Sequence, residues 1–308
     1  MIRIHVAGLA ATVQDAGRPG HLRSGVPEAG PADPFAFAAA LALAGLPADA
    51  AAIEIVGLPF TFSCDDRRIV AVTGREVTLR GHAALPAWTA VLARPGQELT
   101  VRGTSRSRFA YLAVSGGIDL PPVLGSRATH LASATGPLPR ALVAGDALPL
   151  AGGQGDPATG GTTIAAPGRD GPPRAIRTIE GPHAARFGGA ATRAFFGEAF
   201  RVAAASDRMG VRLDGPDVAA DEGELLTCGV VAGAVQVPRG GAPIVLLADH
   251  QTTGGYPVIA TVIAADLGRV AQAAPGEELR FARVTCDEAV AALAEERRSL
   301  GAVRCAVR

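Results

Sequence analysis

Lysine is absent from the 308-residue chain: all 29 basic residues are arginine. Without lysine there is no Schiff-base nucleophile, no anchor for pyridoxal phosphate and no phosphate-loop ammonium. There is also no amine on which biotin can be carried covalently. If the chain serves ATP-driven or biotin-dependent chemistry, another chain or domain brings that equipment. Aromatic residues are scarce at 4%, and 29 acidic residues balance the 29 basic ones. That composition gives no basic or base-stacking surface, so neither nucleic acid nor an anionic membrane is expected as partner. The four cysteines, Cys64, Cys228, Cys286 and Cys305, form no CxxC pair, and the six histidines show no HxH or HExxH spacing. No metal site is predicted. The N-terminal residues lack the apolar stretch of a signal peptide, and the most apolar region, 34–56, is interrupted by Pro47, Asp49 and Glu54. A cytoplasmic protein without membrane spans is the expectation.

What is present is a chain with 48% hydrophobic residues, ample for a large core. Residues 151–173 are rich in Gly, Pro and Thr and almost devoid of large apolar side chains, which reads as a linker or long surface loop. It separates a β-rich N-terminal domain, 1–150, from a C-terminal domain, 174–308. Short runs of Val, Ile and Leu between turn residues predict strands at Ile69–Val72, Phe109–Val114, Gly233–Val237, Ile244–Leu247 and Val258–Ile263. A local device recurs: Ala93-Arg94-Pro95-Gly96 and Ala273-Ala274-Pro275-Gly276 each precede an alternating segment, and Val143-Ala144-Gly145-Asp146 is a copy without the proline. Pro-Gly predicts a type II turn feeding a half-buried strand. Helices are expected to be few. Asp33 caps one that opens at Pro34 and stops near Gly45. Thr285-Cys286-Asp287-Glu288 is a capping box for a second, ending by Gly301. The fold class is mainly β (α+β), drawn as two β-rich barrels or sandwiches with a few helices.

Four loops combine glycine or proline with polar side chains at strand ends, where binding sites tend to be built. In Thr12–Gly20, Asp15 and Arg18 can pair across a glycine turn, either as a lock or as a substrate contact. In Gly25–Pro34, Asp33 is accounted for by capping, and the helix start offers amides to an anion. In Ser206–Leu213, Asp207, Arg208 and Met209 precede a glycine, and Arg208 or Arg212 can clamp a carboxylate or form a surface or interdomain salt bridge. The fourth, Asp249–Pro257, packs Asp249, His250, Gln251, Thr252 and Thr253 before Gly254-Gly255 and Tyr256. Paired glycines let backbone amides approach a ligand closely. His250 beside Asp249 makes no triad without a placed nucleophile.

In order from residue 12 to residue 281 the chain reads TVQDAGRPG, GVPEAGPADPFA, AYLAVSGGIDLPPVLGSRATHL, SDRMGVRLDGP, GAVQVPRGGAPIVLLADHQTTGGYPVIATVIAADL and AQAAPGEELRF. These blocks resemble the biotin-dependent carboxyltransferase-like family, which includes the 5-oxoprolinase C subunit, KipA and part of the urea carboxylase carboxyltransferase domain. The resemblance implies a cyclophilin-like β-barrel domain beside a β-rich N-terminal domain. It implies partnership with a KipI-type B subunit and a 5-oxoprolinase A subunit, in a complex that converts 5-oxo-L-proline to L-glutamate. ATP would be consumed on another subunit, with no covalently bound cofactor here. Two other readings stay open: a regulatory protein of the KipA type that binds a kinase inhibitor, and a urea or amide carboxyltransferase component. Biotin enters only with the last. Under the leading reading Asp207 and Asp249 are the candidate catalytic carboxylates. Arg208, Met209, Gln251, Thr252, Thr253, Tyr256, Asp15, Arg18 and Asp33 are the candidate substrate contacts. The departures from the family pattern, at Gly30-Pro31-Ala32-Asp33, Ala44-Gly45-Leu46 and Thr73-Gly74-Arg75-Glu76, all lie in the N-terminal half.

Overall fold

Short apolar-rich runs between turns form antiparallel sheets that frame the chain. The computed structural model describes residues 1–153, 155–164, 174–221 and 223–306. They fall into two compact units. The first holds Met1–Arg18, the chain from Ala29 through the described part of the linker, and the tail from Arg297. The second holds Pro19–Glu28 and the chain from residue 174 to Glu296.

The first unit contains two antiparallel sheets. One has six strands in the order Ala147–Leu148, Ile2–Ala7, Phe60–Cys64, Leu99–Gly103, Val77–Arg80, Ala84–Pro86. The other has five, in the order Ala10–Gln14, Ala52–Val56, Phe109–Val114, Arg68–Gly74, Thr89–Ala93. Ile4, Phe62 and Val101 from the first share one core with Ile53, Val72 and Leu112 from the second. This is a sandwich, in which period-2 alternation sends every other side chain inward. Helix α1 (Pro34–Leu43) covers the outer face of the five-stranded sheet: Thr73 Oγ1 donates to the Ala36 carbonyl at 2.6 Å, and the Phe37 ring meets Tyr111 edge-on. Its residues are apolar all round, as expected for a helix with no solvent face.

The recurring turn takes the same form three times. Gly96, Gly145 and Gly276 have positive φ. In each turn the backbone closes from the fourth residue to the first: Gln97 N to Arg94 O, Asp146 N to Val143 O, Glu277 N to Ala274 O. The side chain of that fourth residue also accepts from the first residue's amide, at 3.0, 2.8 and 3.0 Å respectively. Part of the predicted linker is ordered sheet. Gly161, Thr162 and Ile164 exchange backbone hydrogen bonds with Trp88 and Ala90. The rest of the linker, 165–173, falls outside the described residues.

The second unit is built on an eight-stranded sheet. Its order is Glu278–Leu279, Phe200–Val202, Gly210–Asp214, Ile244–Leu246, Ala234–Gln236, Val258–Val262, Ile176–Glu180, Phe281–Arg283. The first and last of these strands are neighbours in sequence, separated by Arg280 alone. The sheet therefore closes on itself through one residue, giving the barrel that the family resemblance implied. All its pairings are antiparallel except that of Ile176–Glu180 with Phe281–Arg283. Helix α2 (Gly189–Gly197) inserts Phe195 against Phe200 and Phe281, which flank the closure, with ring centroids 5.8 and 4.6 Å away. Helix α3 (Ala264–Ala271) is fixed by buried Asp266, whose carboxylate takes the Arg177 amide and guanidinium and the Arg269 guanidinium. Neither α2 nor α3 was predicted; each is short, and apolar strands flank them. The C-terminal helix α4 (Cys286–Ala306) starts at the capping box, with Glu288 and Thr285 bonded reciprocally. It runs beyond Gly301, where it was expected to stop. One interior glycine costs about 1 kcal/mol relative to alanine, too little to end a helix of this length. Among the described residues no helix is long and apolar enough to cross a membrane.

Candidate functional site

Two loops of the barrel carry most of the predicted site residues, and the sheet register brings them together. Gly210 pairs with Leu246, and the pairing continues beyond the strand ends: Leu247 N donates to Met209 O and Asp249 N to Arg208 O, each at 3.0 Å. The register therefore places Arg208 beside Asp249, forty-one residues on. Arg208 Nε and Nη2 meet the two carboxylate oxygens of Asp249 at 2.8 Å each. Both side chains are nearly buried, at 11% and 8% exposure. Gly210 fits tightly where the loops converge: a Cβ there would stand 3.0 Å from Ile244 Cγ2 and from the Val245 carbonyl oxygen.

This pairing changes the chemistry expected of both residues. A guanidinium with two nitrogens on a carboxylate does not offer that same edge to a substrate carboxylate. A carboxylate with both oxygens so engaged is badly placed to take a proton. Arg208 and Asp249 thus form the brace of the site in this conformation. Asp207 is likewise occupied. Its Oδ1 accepts from Met209 N at 2.8 Å and Gly210 N at 3.3 Å, an Asx turn that shapes the loop. Its exposed carboxylate is held by backbone amides.

Beyond Asp249 the second loop crosses to a neighbouring strand. His250 is buried, with Nδ1 2.6 Å from the Gln251 carbonyl oxygen. Gln251 Nε2 donates to Gln236 Oε1 at 2.9 Å. Thr252 O accepts from Val230 N, and Thr253–Gly254 pairs with Cys228–Gly229 in a separate two-stranded ribbon. Thr253 is exposed, as are Met209 and Tyr256, at 43% and 48%. The second unit thus gathers Asp207, Arg208, Met209, Asp249, Gln251, Thr252, Thr253 and Tyr256 around one pair of loops. Sequence reasoning missed Gln236 and the ribbon strand at Cys228. The available signal was a single amide in the apolar run Ala234-Val235-Gln236-Val237.

The other three candidates lie in the first unit, where each has a structural partner. Asp15 accepts from Gly17 N, Ser126 Oγ and Arg127 N, at 2.9, 2.6 and 2.5 Å. Arg18 is fully buried and donates to the Ala128 carbonyl at 2.5 Å. In place of the expected pairing across the turn, these bonds tie the Asp15–Arg18 turn to the segment Ser126–Ala128. Asp33 caps α1 through Ala36 N at 3.2 Å, and its own amide donates to Tyr111 Oη at 2.7 Å. Tyr111 also donates to buried Glu54 at 2.9 Å. Burial, with Glu54 and Asp33 nearby, holds the Tyr111 hydroxyl well above the usual phenol range. One of the amides at the start of α1 that could have met an anion is taken by the Asp33 side chain.

The sequence matches the family model described as "Carboxyltransferase domain, subdomain A and B" over residues 24–283. The chain belongs to this carboxyltransferase family. It is 37% identical to the 5-oxoprolinase C subunit of Escherichia coli, over 97% of this chain and 96% of that protein. The 5-oxoprolinase C subunit of Haemophilus influenzae is 34% identical, over 91% and 90%. Saccharomyces cerevisiae urea amidolyase is 30% identical over 91% of this chain, which spans only 16% of that enzyme. Among solved structures, TTHA0988 superposes with a TM-score of 0.81 at 34% identity, this chain covering 55% of it. Kluyveromyces lactis urea amidolyase superposes with a TM-score of 0.86 at 26% identity over 98% of this chain and 20% of that one. Family members thus occur both as chains of about this length and as segments of much longer proteins.

Proposed function

We propose that this chain is the C-type subunit of a 5-oxoprolinase, a hydrolase complex that opens 5-oxo-L-proline to L-glutamate with ATP hydrolysis. The observation that carries this reading is the match to the Escherichia coli protein along 97% of this chain and 96% of that one. The urea amidolyase match covers 16% of the yeast enzyme, so that enzyme's activity draws on much chain with no counterpart here. The chain acts with a KipI-type B subunit and an A subunit, is inactive alone, and works in the cytoplasm. ATP is bound elsewhere in the complex, consistent with a sequence that has no lysine for a phosphate loop. Biotin has no lysine to be attached to here and would belong to the urea carboxyltransferase reading.

Within the complex the barrel supplies a substrate-binding wall. The Arg208–Asp249 pair braces it. Gln251, Thr252, Thr253 and Tyr256 offer neutral hydrogen-bonding groups beside two glycines, and Met209 adds an exposed apolar side chain. Asp15, Arg18 and Asp33 act from the first unit by holding its turns in shape. Reconstitution tests the reading. Mixed with its two partner subunits, this chain should confer ATP hydrolysis that depends on 5-oxoproline, and omitting it should abolish that dependence. Hydrolysis equally coupled without this chain would refute the assignment. So would activation only by urea with a biotin carrier.

A further inference from the structure

Gln236 ends a barrel strand with only 2% of its surface exposed. Its Oε1 accepts from Gln251, but its Nε2 is buried without a hydrogen-bond partner. As placed, that nitrogen faces the ribbon with nothing to bond, and turning the amide would put its oxygen there instead. Native folds keep few such atoms, and each asks for an explanation.

The covering element is specific. A Cβ at Gly254 would stand 2.4 Å from Gln236 Nε2 and 3.3 Å from Val230 Cγ1, so the glycine backbone lies directly over the amide. Gly254 belongs to the ribbon of Cys228–Gly229 and Thr253–Gly254, which has two residues per strand and is separate from the barrel sheet. Elements with so few hydrogen bonds open at low cost. Displacing the ribbon uncovers Gln236 next to Gln251. A neutral amide ligand carries a carbonyl acceptor and an N–H donor, and so can pair with Gln236 in either of its orientations.

We propose that Gln236, uncovered by movement of the Cys228–Gly254 ribbon, hydrogen-bonds the amide group of a small neutral-amide substrate and sets selectivity for it. A lactam and urea share this chemistry. The inference deepens the substrate-binding role proposed above and rests on it, with Gln251 as the positioning residue that fixes the Gln236 side chain.

The test uses the assembled complex with wild-type chain or Gln236→Met, a substitution of similar size without polar atoms. Three quantities are measured: affinity for 5-oxo-L-proline and for urea by calorimetry, KM and kcat for 5-oxoproline-dependent ATP hydrolysis, and the melting temperature of the isolated chain. Methionine removes a buried unpaired nitrogen but also the acceptor for Gln251, so the variant should melt close to wild type. Its affinity for the bound amide should fall about three- to tenfold, the worth of one hydrogen bond, with KM rising more than kcat falls. Unchanged affinity and KM would overturn the inference while leaving the 5-oxoprolinase reading intact. A variant that fails to fold or melts well below wild type would make Gln236 a structural group and also overturn it. Wild-type complex that ignores 5-oxoproline but binds urea, with that binding lost in Gln236→Met, would end the 5-oxoprolinase reading and support this inference. Binding of neither amide would end both.

Discussion

Removing the Asp249 carboxylate should destabilise the barrel more than most single substitutions do. In Asp249→Leu the Arg208 guanidinium, 11% exposed, loses the partner that engages two of its nitrogens at 2.8 Å. Removing one member of a buried pair costs up to about 3–5 kcal/mol, whereas replacing both members with apolar residues of similar volume is often close to neutral. The double variant Arg208→Met/Asp249→Leu should therefore be more stable than either single variant. Urea denaturation of the four proteins, analysed as a double-mutant cycle, checks this. A coupling energy of about 2 kcal/mol or more supports the brace. Additive single effects, or single effects below about 1 kcal/mol, would refute it, because the pair would then be solvent-screened like an ordinary surface ion pair.

Other outcomes follow from separate parts of the fold. Burial raises the Asp266 pKa, but hydrogen bonds from the Arg177 side chain and amide, with the nearby Arg269, together outweigh it and hold the group below the usual carboxylate range. Its contribution to stability is present above the ordinary carboxylate pKa and is lost as pH falls through the lowered folded value. Asp266→Asn should flatten that acid limb, which urea midpoints at pH 7 and pH 3 would reveal. Burial pushes the Cys64 thiol up to about 11, so iodoacetamide at pH 8 should label exposed Cys286 well before Cys64, read by peptide mass spectrometry. Thr285→Ala should cost about 1 kcal/mol by removing the capping hydroxyl of α4 and should raise amide exchange in its first turn.

Local chemistry was the most legible part of the sequence. The Asp33-Pro34 start of α1, the Thr285–Glu288 capping box and the three glycine turns depend on residues within four positions of one another, and each forms as read. Continuous apolar runs such as Phe109–Val114, buried along their whole length, appear with the same bounds. Long-range consequences were less legible. Barrel closure through Arg280 depends on which strands the two ends of one short segment meet. The Arg208–Asp249 brace depends on the register of Gly210 against Leu246, and no spacing along the chain encodes that register. For this reason two residues that each suggested substrate chemistry were found bonded to each other. The ribbon strands are two residues long and carry no periodicity. Gln236, surrounded by valines, resembles any strand residue until its amide is placed against Gly254.

In the proposed complex the Ser206–Leu213 and Asp249–Pro257 loops form the wall that handles 5-oxoproline. The most direct test is 5-oxoproline-dependent ATP hydrolysis by the reconstituted complex carrying Gln251→Ala, Thr252→Val and Tyr256→Phe together, after melting curves establish that the variant chain is folded. Loss of at least about tenfold in kcat/KM is expected, corresponding to about 1.4 kcal/mol of transition-state binding. A folded triple variant that turns over 5-oxoproline as wild type does would place the substrate elsewhere.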